Sequence, residues 1–374
     1  MSDREYVDWL PQGRVRGRGA GLNPGNRFDG IRLHVLGDHL DEQLREQPHG
    51  TQARTEILED RTRSIINRVD SPDLAMSWTI NPYRGCEHGC IYCYARPGHE
   101  YLGLSSGLDF ETKIHAKRNA PELLRKELAS PKWRGDPIAM SGVTDCYQPL
   151  ERRLTITRQC LAVMAECRQP VGIVTKNRLV TRDLDLLAEL NCHRAVKVAI
   201  SITTLDARLA AAMEPRASRP EDRLRTIAEL HEAGIPVTVM VAPVIPGLTD
   251  VEVPAILEAA AEAGACSAGW VLLRLPHQIK ALFLDWLARE VPDRAERVES
   301  LIRQTHGGEL YESGFGVRQR GRGPWAEQIA RTFDVFSRRH RLDGGSGSLS
   351  SEDFRRPSPD RQMGQMGLFD APGF

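Results

Sequence analysis

The sequence is organised around one stretch, Asn81-Pro82-Tyr83-Arg84-Gly85-Cys86-Glu87-His88-Gly89-Cys90-Ile91-Tyr92-Cys93-Tyr94-Ala95-Arg96. In this stretch Cys86, Cys90 and Cys93 form a C-x-x-x-C-x-x-C pattern. Thiolates are ligands of zinc and of iron–sulfur clusters. Thiolates spaced in this way on one loop can bind three irons of a [4Fe–4S] cube and leave the fourth iron open for chemistry. Gly85 and Gly89 fit such a loop, because glycine adopts positive φ without a steric penalty.

A zinc knuckle is the main alternative for these cysteines, with His88 or His99 as the fourth ligand. A zinc finger needs a second ligand pair at a typical distance, and C-x-x-x-C-x-x-C is not a usual zinc spacing. A disulfide is less favoured still, because one of the adjacent thiols would remain unpaired. The pattern therefore favours an iron–sulfur cluster over structural zinc.

The cysteine stretch resembles the cluster loop of radical S-adenosylmethionine (SAM) enzymes. The fuller string from Asn81 to Arg96 resembles the spore photoproduct lyase, or DNA repair photolyase-like, subgroup. The resemblance extends from about Ser71 to about Leu342. It implies a [4Fe–4S] cluster and SAM as cofactors, and reductive cleavage of SAM to methionine and a 5′-deoxyadenosyl radical that abstracts hydrogen from a substrate.

The resemblance also bears on partners and on the class of reaction. It implies a one-electron donor of the flavodoxin or ferredoxin type, and it makes DNA a candidate substrate for a lyase or related repair reaction. The substrate itself stays open, because nothing in the sequence shows a thymine-dimer pocket. A competing hypothesis is a non-catalytic iron–sulfur or zinc protein that uses the cysteines for structure or redox sensing.

Composition predicts a soluble globular protein. The chain has 374 residues, with 41% apolar and 27% charged residues, and its 50 Lys and Arg balance its 50 Asp and Glu. A net charge of zero gives no overall basic field, so any nucleic-acid contact must come from a local patch. The N-terminus lacks a signal peptide, no apolar run is long enough to span a membrane, and unpaired cysteines are typical of the cytoplasm.

The composition changes along the chain and suggests four regions. They are an N-terminal extension (1–70), a core (71–276), a C-terminal helical segment (277–342) and a disordered tail (343–374). The extension contains the locally basic Arg14–Gly19, for which a mobile or surface-draped segment is favoured over a nucleic-acid contact. The tail is rich in Gly, Ser, Asp and Pro.

Strands and helices alternate through the core. The predicted strands are Trp78–Ile80, Ile138–Met140, Val171–Val174, Val196–Ile200, Val237–Ala242 and Trp270–Leu273. Amphipathic helices are predicted between them, including Thr157–Cys167, Leu184–Leu190, Arg223–His231 and Val253–Ala263. Six successive β/α units indicate a parallel α/β fold, although periodicity does not separate an open sheet from a barrel. The family resemblance implies a partial TIM barrel.

Polar residues follow most of the predicted strands, where a parallel β/α fold places its functional groups. By resemblance to the family, SAM contacts are expected from Tyr92 (adenine), Thr144 and Asp145 (amino group), Lys176 (carboxylate), Ser201 and Thr203 (ribose), and Arg216 in the pocket. One departure is that Val143-Thr144-Asp145 replaces the Gly-Gly-Glu string common on the second strand. The resemblance also makes Cys146, in the region after the second strand, a candidate hydrogen-atom donor, with a small pocket-lining residue as the alternative.

The tail ends in a short apolar peptide, Gln365-Met366-Gly367-Leu368-Phe369. It resembles the Gln-x-x-Leu-Phe peptide with which bacterial DNA-repair and replication proteins bind the sliding clamp. A flexible tether that presents Leu368 and Phe369 to a groove is physically reasonable for such a contact. Gln365, Leu368 and Phe369 are therefore candidate clamp contacts.

Overall fold

The structure is a computed structural model that describes residues 15, 17–28, 53–73 and 76–357. The strands in these residues are β1 (Glu56–Glu59), β2 (Asn67–Arg68), β3 (Trp78–Ile80), β4 (Tyr83–Arg84), β5 (Lys113–Ala116), β6 (Ile138–Met140), β7 (Val171–Thr175), β8 (Val196–Ser201), β9 (Val237–Val244) and β10 (Ser267–Leu272). Within the same residues, no helix combines the length and the hydropathy that a membrane crossing needs.

Helices separate most of these strands. They are α1 (Leu108–Thr112), α2 (Ala120–Leu128), α3 (Glu151–Leu154), α4 (Ile156–Cys167), α5 (Leu184–Asn191), α6 (Ala207–Met213), α7 (Pro220–Glu232), α8 (Val253–Glu262), α9 (Ile279–Glu290), α10 (Ala295–Thr305) and α11 (Pro324–Arg339). Short 3₁₀ helices lie at Arg96–Leu102, Arg178–Asp183, Asp250–Glu252 and Pro292–Arg294.

The main sheet has seven strands in the order β10-β9-β8-β7-β6-β3-β2. From β3 to β10 every neighbouring pair is parallel, and only the short β2 is antiparallel to its neighbour. Six parallel strands linked by helices confirm the predicted partial TIM barrel of six β/α units. A separate three-stranded sheet, β1-β5-β4, lies beside the cysteine loop, because β4 is part of that loop.

The apolar runs of the sequence become the core between sheet and helices. Val171, Val196, Val198 and Val237 are almost completely buried, as expected for parallel strands that are covered on both faces. The predicted helix at Thr157–Cys167 forms as α4, and its buried face includes Cys160 and Cys167. These two thiols therefore pack in the core.

The C-terminal region packs on the barrel over more of its length than the composition indicates. The predicted apolar stripe of α9, which includes Phe283 and Trp286, is buried. Beyond it, the Ser350 N–H donates to the Arg194 carbonyl and the Arg355 N–H donates to the Cys167 carbonyl. These bonds hold residues 350–355 against the barrel, within the segment predicted to be a disordered tail. The clamp-like peptide lies outside the described residues.

Candidate active site

The cysteine loop leaves the C-terminal end of β3 and is shaped by two glycines with positive φ, 83° at Gly85 and 68° at Gly89. A Cβ at Gly89 would lie 2.7 Å from the Glu111 carboxylate, so glycine is required there. Cys86 and Cys90 are buried and Cys93 is partly buried. Burial raises the pKa of all three thiols; the charges of Asp145 and Glu214 add to the rise at Cys86 and Cys90, whereas Arg96 opposes it at Cys93.

A buried ion pair supports the loop from beneath. The Arg96 guanidinium donates to the carbonyls of Cys90 (3.0 Å) and Gly89 (3.2 Å) and pairs with Glu111 at 2.6 Å. Both charged side chains are completely buried. A planar guanidinium can satisfy several fixed acceptors at once, which explains an arginine at this position. Its role in holding the loop could not be identified from the sequence.

An N-terminal strap, residues 17–22, closes over the loop from the other side. The N–H groups of Gly19 and Ala20 donate to the Glu111 carboxylate at 3.0 and 2.9 Å. The Arg18 side chain donates to the Glu111 carbonyl at 2.5 Å and to the Ala53 carbonyl at 3.0 Å. The predicted surface-draped extension is therefore fixed, over these residues, against the cysteine loop.

Two amides join the loop to the next strand of the barrel. The Gln148 side chain donates to the Gly85 carbonyl at 3.2 Å and accepts from the Glu87 N–H at 2.9 Å. The Asn81 side chain accepts from the N–H groups of Val143 (2.9 Å) and Thr144 (3.4 Å). The loop and the end of β6 therefore keep a fixed relative position.

The predicted second-strand residues lie at this junction. The Thr144 hydroxyl donates to the Tyr83 carbonyl at 2.8 Å. Asp145 accepts from the Thr175 hydroxyl and from the Lys176 N–H, both at 2.8 Å. Burial opposes ionisation of Asp145, but nearby His88 and the backbone donors outweigh it and lower its pKa. In this structure Asp145 mainly fixes the end of β7.

Both histidines near the loop are engaged by protein partners, His88 at both ring nitrogens and His99 at Nε2. His88 contacts Asp145 through Nδ1 at 3.3 Å, and Asn177 donates to its Nε2 at 3.1 Å. His99 is buried and donates from Nε2 to the Lys113 carbonyl at 2.9 Å. His88 would have to give up one of these contacts to become the fourth ligand of a zinc knuckle.

Lys176 projects from the end of β7 into a polar pocket beside the cysteine loop. Its ammonium donates to Ser201 Oγ (2.7 Å), Thr203 Oγ1 (3.3 Å) and the Ala242 carbonyl (3.1 Å), and lies 5.6 Å from the Tyr92 ring centroid. Burial lowers its pKa to about 8 despite the opposing effect of Cys90. Four residues that were predicted to bind SAM, Tyr92, Lys176, Ser201 and Thr203, are thus brought together.

Glu214 joins these residues, although no sequence pattern predicts it. Its completely buried carboxylate accepts from the Tyr92 hydroxyl, from Thr203 Oγ1 at 2.7 Å and from Arg223, and it pairs with Lys176 at 3.2 Å. No motif marks Glu214, although it is two residues from Arg216. We refer to Glu214, Lys176, Tyr92, Thr203 and Arg223 as the Glu214 network.

Arg216 does not join this network. Its guanidinium lies behind the loop, 3.1 Å from Glu87 and 3.4 Å from Thr55 Oγ1. Instead Arg223, in the first turn of α7, reaches the pocket and donates to the Ser201 carbonyl at 2.9 Å. The helix starts three residues before the predicted Arg223–His231, which places Arg223 at the β8 end.

Cys146 lies in the main hydrophobic core with Tyr83 and Tyr147 and is completely buried. Its N–H donates to Ser141 Oγ at 2.9 Å, and burial, followed by the charge of Asp145, raises the pKa of its thiol well above the ordinary value. This environment favours a packing role over the predicted hydrogen-atom donor.

Comparison with known proteins identifies the family. The sequence model of the radical SAM superfamily matches residues 80–260, which contain the cysteine loop and the Glu214 network. An uncharacterized protein of Mycobacterium tuberculosis is 38% identical over 245 residues, which are 65% of this chain and 72% of that protein. The chain belongs to the radical SAM superfamily. Membership of this superfamily supports a radical SAM enzyme rather than a non-catalytic protein.

Other relatives of this radical SAM enzyme are more distant. An uncharacterized protein of Methanocaldococcus jannaschii is 30% identical, covering 54% of this chain and 72% of that protein. A protein of Pseudomonas phage M6 named radical SAM Nalpha-GlyT isomerase is 29% identical, covering 45% and 33%. Spore photoproduct lyase complexed with dinucleoside spore photoproduct superposes with a TM-score of 0.55 at 15% identity, covering 81% and 92%, which shows a shared fold.

Proposed function

We propose that Cys86, Cys90 and Cys93 hold a [4Fe–4S] cluster and that SAM binds between this cluster and the Glu214 network. Support comes from the donor set, because the thiols lie on one loop fixed by buried polar contacts. His88, one of the two histidines that could complete a zinc site, is held at both ring nitrogens by Asp145 and Asn177. The residues therefore fit a cluster that keeps one iron free of protein ligands.

The Glu214 network fits the expected partners of SAM. A buried ammonium at Lys176 can pair with the SAM carboxylate, while the Ser201 and Thr203 hydroxyls are suited to the ribose. The Tyr92 ring lies beside them and offers a flat apolar surface to adenine. Thr144 and Asp145 lie at the neighbouring strand end, where their remaining acceptor capacity suits the SAM amino group.

When bound, the cluster supplies an electron that cleaves SAM to methionine and a 5′-deoxyadenosyl radical for hydrogen abstraction. The chain orients SAM through the charges of the Glu214 network. It also limits access of water to the cysteine loop, because the strap and the buried Arg96–Glu111 pair cover that loop.

Nucleic acid is the substrate class that we propose, with DNA first. Support comes from the fold shared with spore photoproduct lyase, one structure of which is complexed with dinucleoside spore photoproduct. A one-electron donor of the flavodoxin or ferredoxin type would reduce the cluster. The peptide with Gln365, Leu368 and Phe369 would contact the sliding clamp, and a clamp that does not retain a peptide of these residues in a pull-down would remove that partner.

The deciding experiment is anaerobic. The reconstituted protein is reduced with dithionite and mixed with SAM, and 5′-deoxyadenosine and bound iron are measured. We expect Cys86→Ala, Cys90→Ala and Cys93→Ala each to lose the nucleoside product and most of the iron. Cys192→Ala is the matched control, because Cys192 is exposed and remote from the loop. Product formation in any loop variant, at the level of Cys192→Ala, would contradict the proposal.

A further inference from the structure

The barrel is open along one side. β10 forms one edge of the sheet, and β3 lies next to the short β2 at the other, so no strand pairing joins β3 to β10. The segments that follow these two strands nevertheless meet at the C-terminal rim, where Ser106 Oγ donates to Gln278 Oε1 at 2.6 Å. Because the residues that we propose to bind SAM follow strands at this rim, we expect a large substrate to approach the protein on this side.

An exposed aromatic shelf lies beside the opening. Phe28 and Tyr101 are 56% and 73% exposed, and their ring centroids are 5.0 Å apart. The Arg27 guanidinium lies 4.8 Å from the Phe28 ring and 5.8 Å from the Tyr101 ring. The carboxylate of Glu100, which pairs with Arg27, is buried. The groups exposed to solvent here are therefore the two aromatic rings and part of the Arg27 side chain. We call Arg27, Phe28 and Tyr101 the shelf.

A second aromatic–arginine pair spans the opening itself. Tyr94 follows Cys93 directly, and its hydroxyl donates to the Gly142 carbonyl at the end of β6 at 2.6 Å. The Arg274 guanidinium, just after β10, lies 4.9 Å from the Tyr94 ring centroid. Arg274 Nε is buried and has no hydrogen-bond partner within the residues that the structure describes. This pair therefore offers a stacking face and a cation, and Asp73 is the nearby carboxylate whose pKa the charge of Arg274 helps to lower.

The two features belong to one surface. Arg274 and Lys280 lie on the segment that follows β10, and Gln278 of the same segment donates to the Gly25 carbonyl beside the shelf at 2.8 Å. Arg27 and Lys280 are close enough to His277 to lower its pKa, although burial has the larger effect. Unpaired nucleotides bind surfaces on which aromatic rings alternate with cations. Each base can stack on an aromatic ring, and each negatively charged phosphate can pair with a cation.

We propose that the shelf and the Tyr94–Arg274 pair bind a single-stranded or locally unpaired stretch of nucleic acid, with a base stacked on Phe28 and Tyr101 and a phosphate at Arg274. This proposal rests on the proposed nucleic-acid substrate and deepens it. A surface of this kind at the open side of the barrel would retain the strand while one nucleotide enters the pocket.

Binding of a fluorescein-labelled oligothymidylate of about 15 nucleotides to the full-length reconstituted protein, followed by fluorescence anisotropy, tests the proposal. We expect Phe28→Ala and Tyr101→Ala each to weaken binding by about 5-fold to 150-fold, the range measured for lost base stacking. Val335→Ala is the control, since Val335 is a 58% exposed apolar side chain on α11, an element that carries none of the residues of the proposed surface. It should change the Kd less than about twofold.

An abasic strand of equal length separates stacking from phosphate contacts. The wild-type protein should bind the abasic strand more weakly, and Tyr101→Ala should not weaken that binding further. Arg274→Gln should reduce the slope of log Kd against log salt concentration by about one for both strands, as expected when one phosphate contact is lost. Urea denaturation of each variant checks that the chain remains folded.

The outcomes separate the shelf from the proposed substrate. If the wild-type protein binds oligothymidylate but Phe28→Ala and Tyr101→Ala bind it equally well, the shelf does not contribute to binding. The proposal of a nucleic-acid substrate is then retained. If the wild-type protein binds the abasic strand as tightly as the normal one, base stacking is wrong. If polyglutamate competes as well as oligothymidylate, the surface binds acidic polymers, including proteins. If the wild-type protein binds no nucleic acid while it still forms 5′-deoxyadenosine, both proposals fail but the SAM chemistry does not.

Discussion

Replacement of Glu214 with Gln tests the electrostatic centre of the site. The carboxylate is completely buried, with Tyr92, Thr203 and Lys176 on Oε1 and Arg223 on Oε2. A carboxylate only accepts hydrogen bonds, whereas an amide has one accepting oxygen and one donating NH₂ group. In either orientation of the amide, the NH₂ group faces a cation, and at least one buried cation loses its acceptor.

The expected cost follows from the burial of the partners. Arg223 is 2% exposed, and Lys176 is 14% exposed, so neither charge can be fully rehydrated in place. Removing one member of a buried ion pair costs about 3–5 kcal/mol, because it leaves an uncompensated charge. Glu214→Gln should therefore lower the free energy of unfolding by about 3–5 kcal/mol. It should also weaken SAM binding, since Lys176 and Tyr92 lose their common anchor.

Urea denaturation of the anaerobically purified protein measures this change. Glu327→Gln is the control, because the exposed Glu327–Arg331 pair should contribute at most about 1 kcal/mol. Arg223→Met in the Glu214→Gln background should recover part of the loss, because it removes the unpaired cation. The reasoning would be refuted if Glu214→Gln lowered the free energy of unfolding no more than Glu327→Gln does. It would also be refuted if the decrease in the double variant equalled the sum of the decreases in Glu214→Gln and Arg223→Met alone.

Three further predictions concern the strap, the pocket and a buried histidine. Gly19→Ala should destabilise the protein by about 1–3 kcal/mol and expose the strap to limited proteolysis, since a Cβ there would overlap the Gly89 carbonyl oxygen. Gly98→Ala, which meets nothing within 4 Å, should do neither, and equal behaviour of the two would be inconsistent with this packing. Lys176→Met should raise the Kd for SAM, measured by calorimetry, about 10-fold to 100-fold, whereas the exposed Lys132→Met should leave it unchanged. Burial lowers the pKa of His99 from 6.5 to about 4. The free energy of unfolding should therefore fall by about 3 kcal/mol as the pH falls from 6.5 to 4, because the unfolded chain binds the proton first. Urea denaturation at each pH measures this decrease, which should be smaller in His99→Gln.

Local sequence patterns determined most of the barrel. The strands β3 and β6 match the predicted ranges, and β7 and β8 differ by one residue at one end. These strands are short, continuous apolar runs, and such runs are buried on both faces in a parallel sheet, so their position depends little on distant residues. β10 starts three residues before its prediction, because Ser267–Gly269 lack the apolar character that marks the other strands.

The cysteine loop could likewise be predicted from sequence, since its ligand spacing and glycines are local features. The Glu214 network could not. Glu214 and Arg223 have no spacing signal, and Glu214, which binds Arg223, meets Tyr92 from an element 122 residues away in the chain. The same holds for Glu111, which joins the strap to the loop across about 90 residues.

The sequence by itself therefore determined the fold class, the cluster loop and the strand-end residues, because each depends on short-range spacing. Only the tertiary structure decided which polar residues share a pocket, that Arg223 rather than Arg216 enters it, and that Cys146 is in the core. Those outcomes depend on how helices and strands pack, and a buried charge is stable only where packing brings a partner to it.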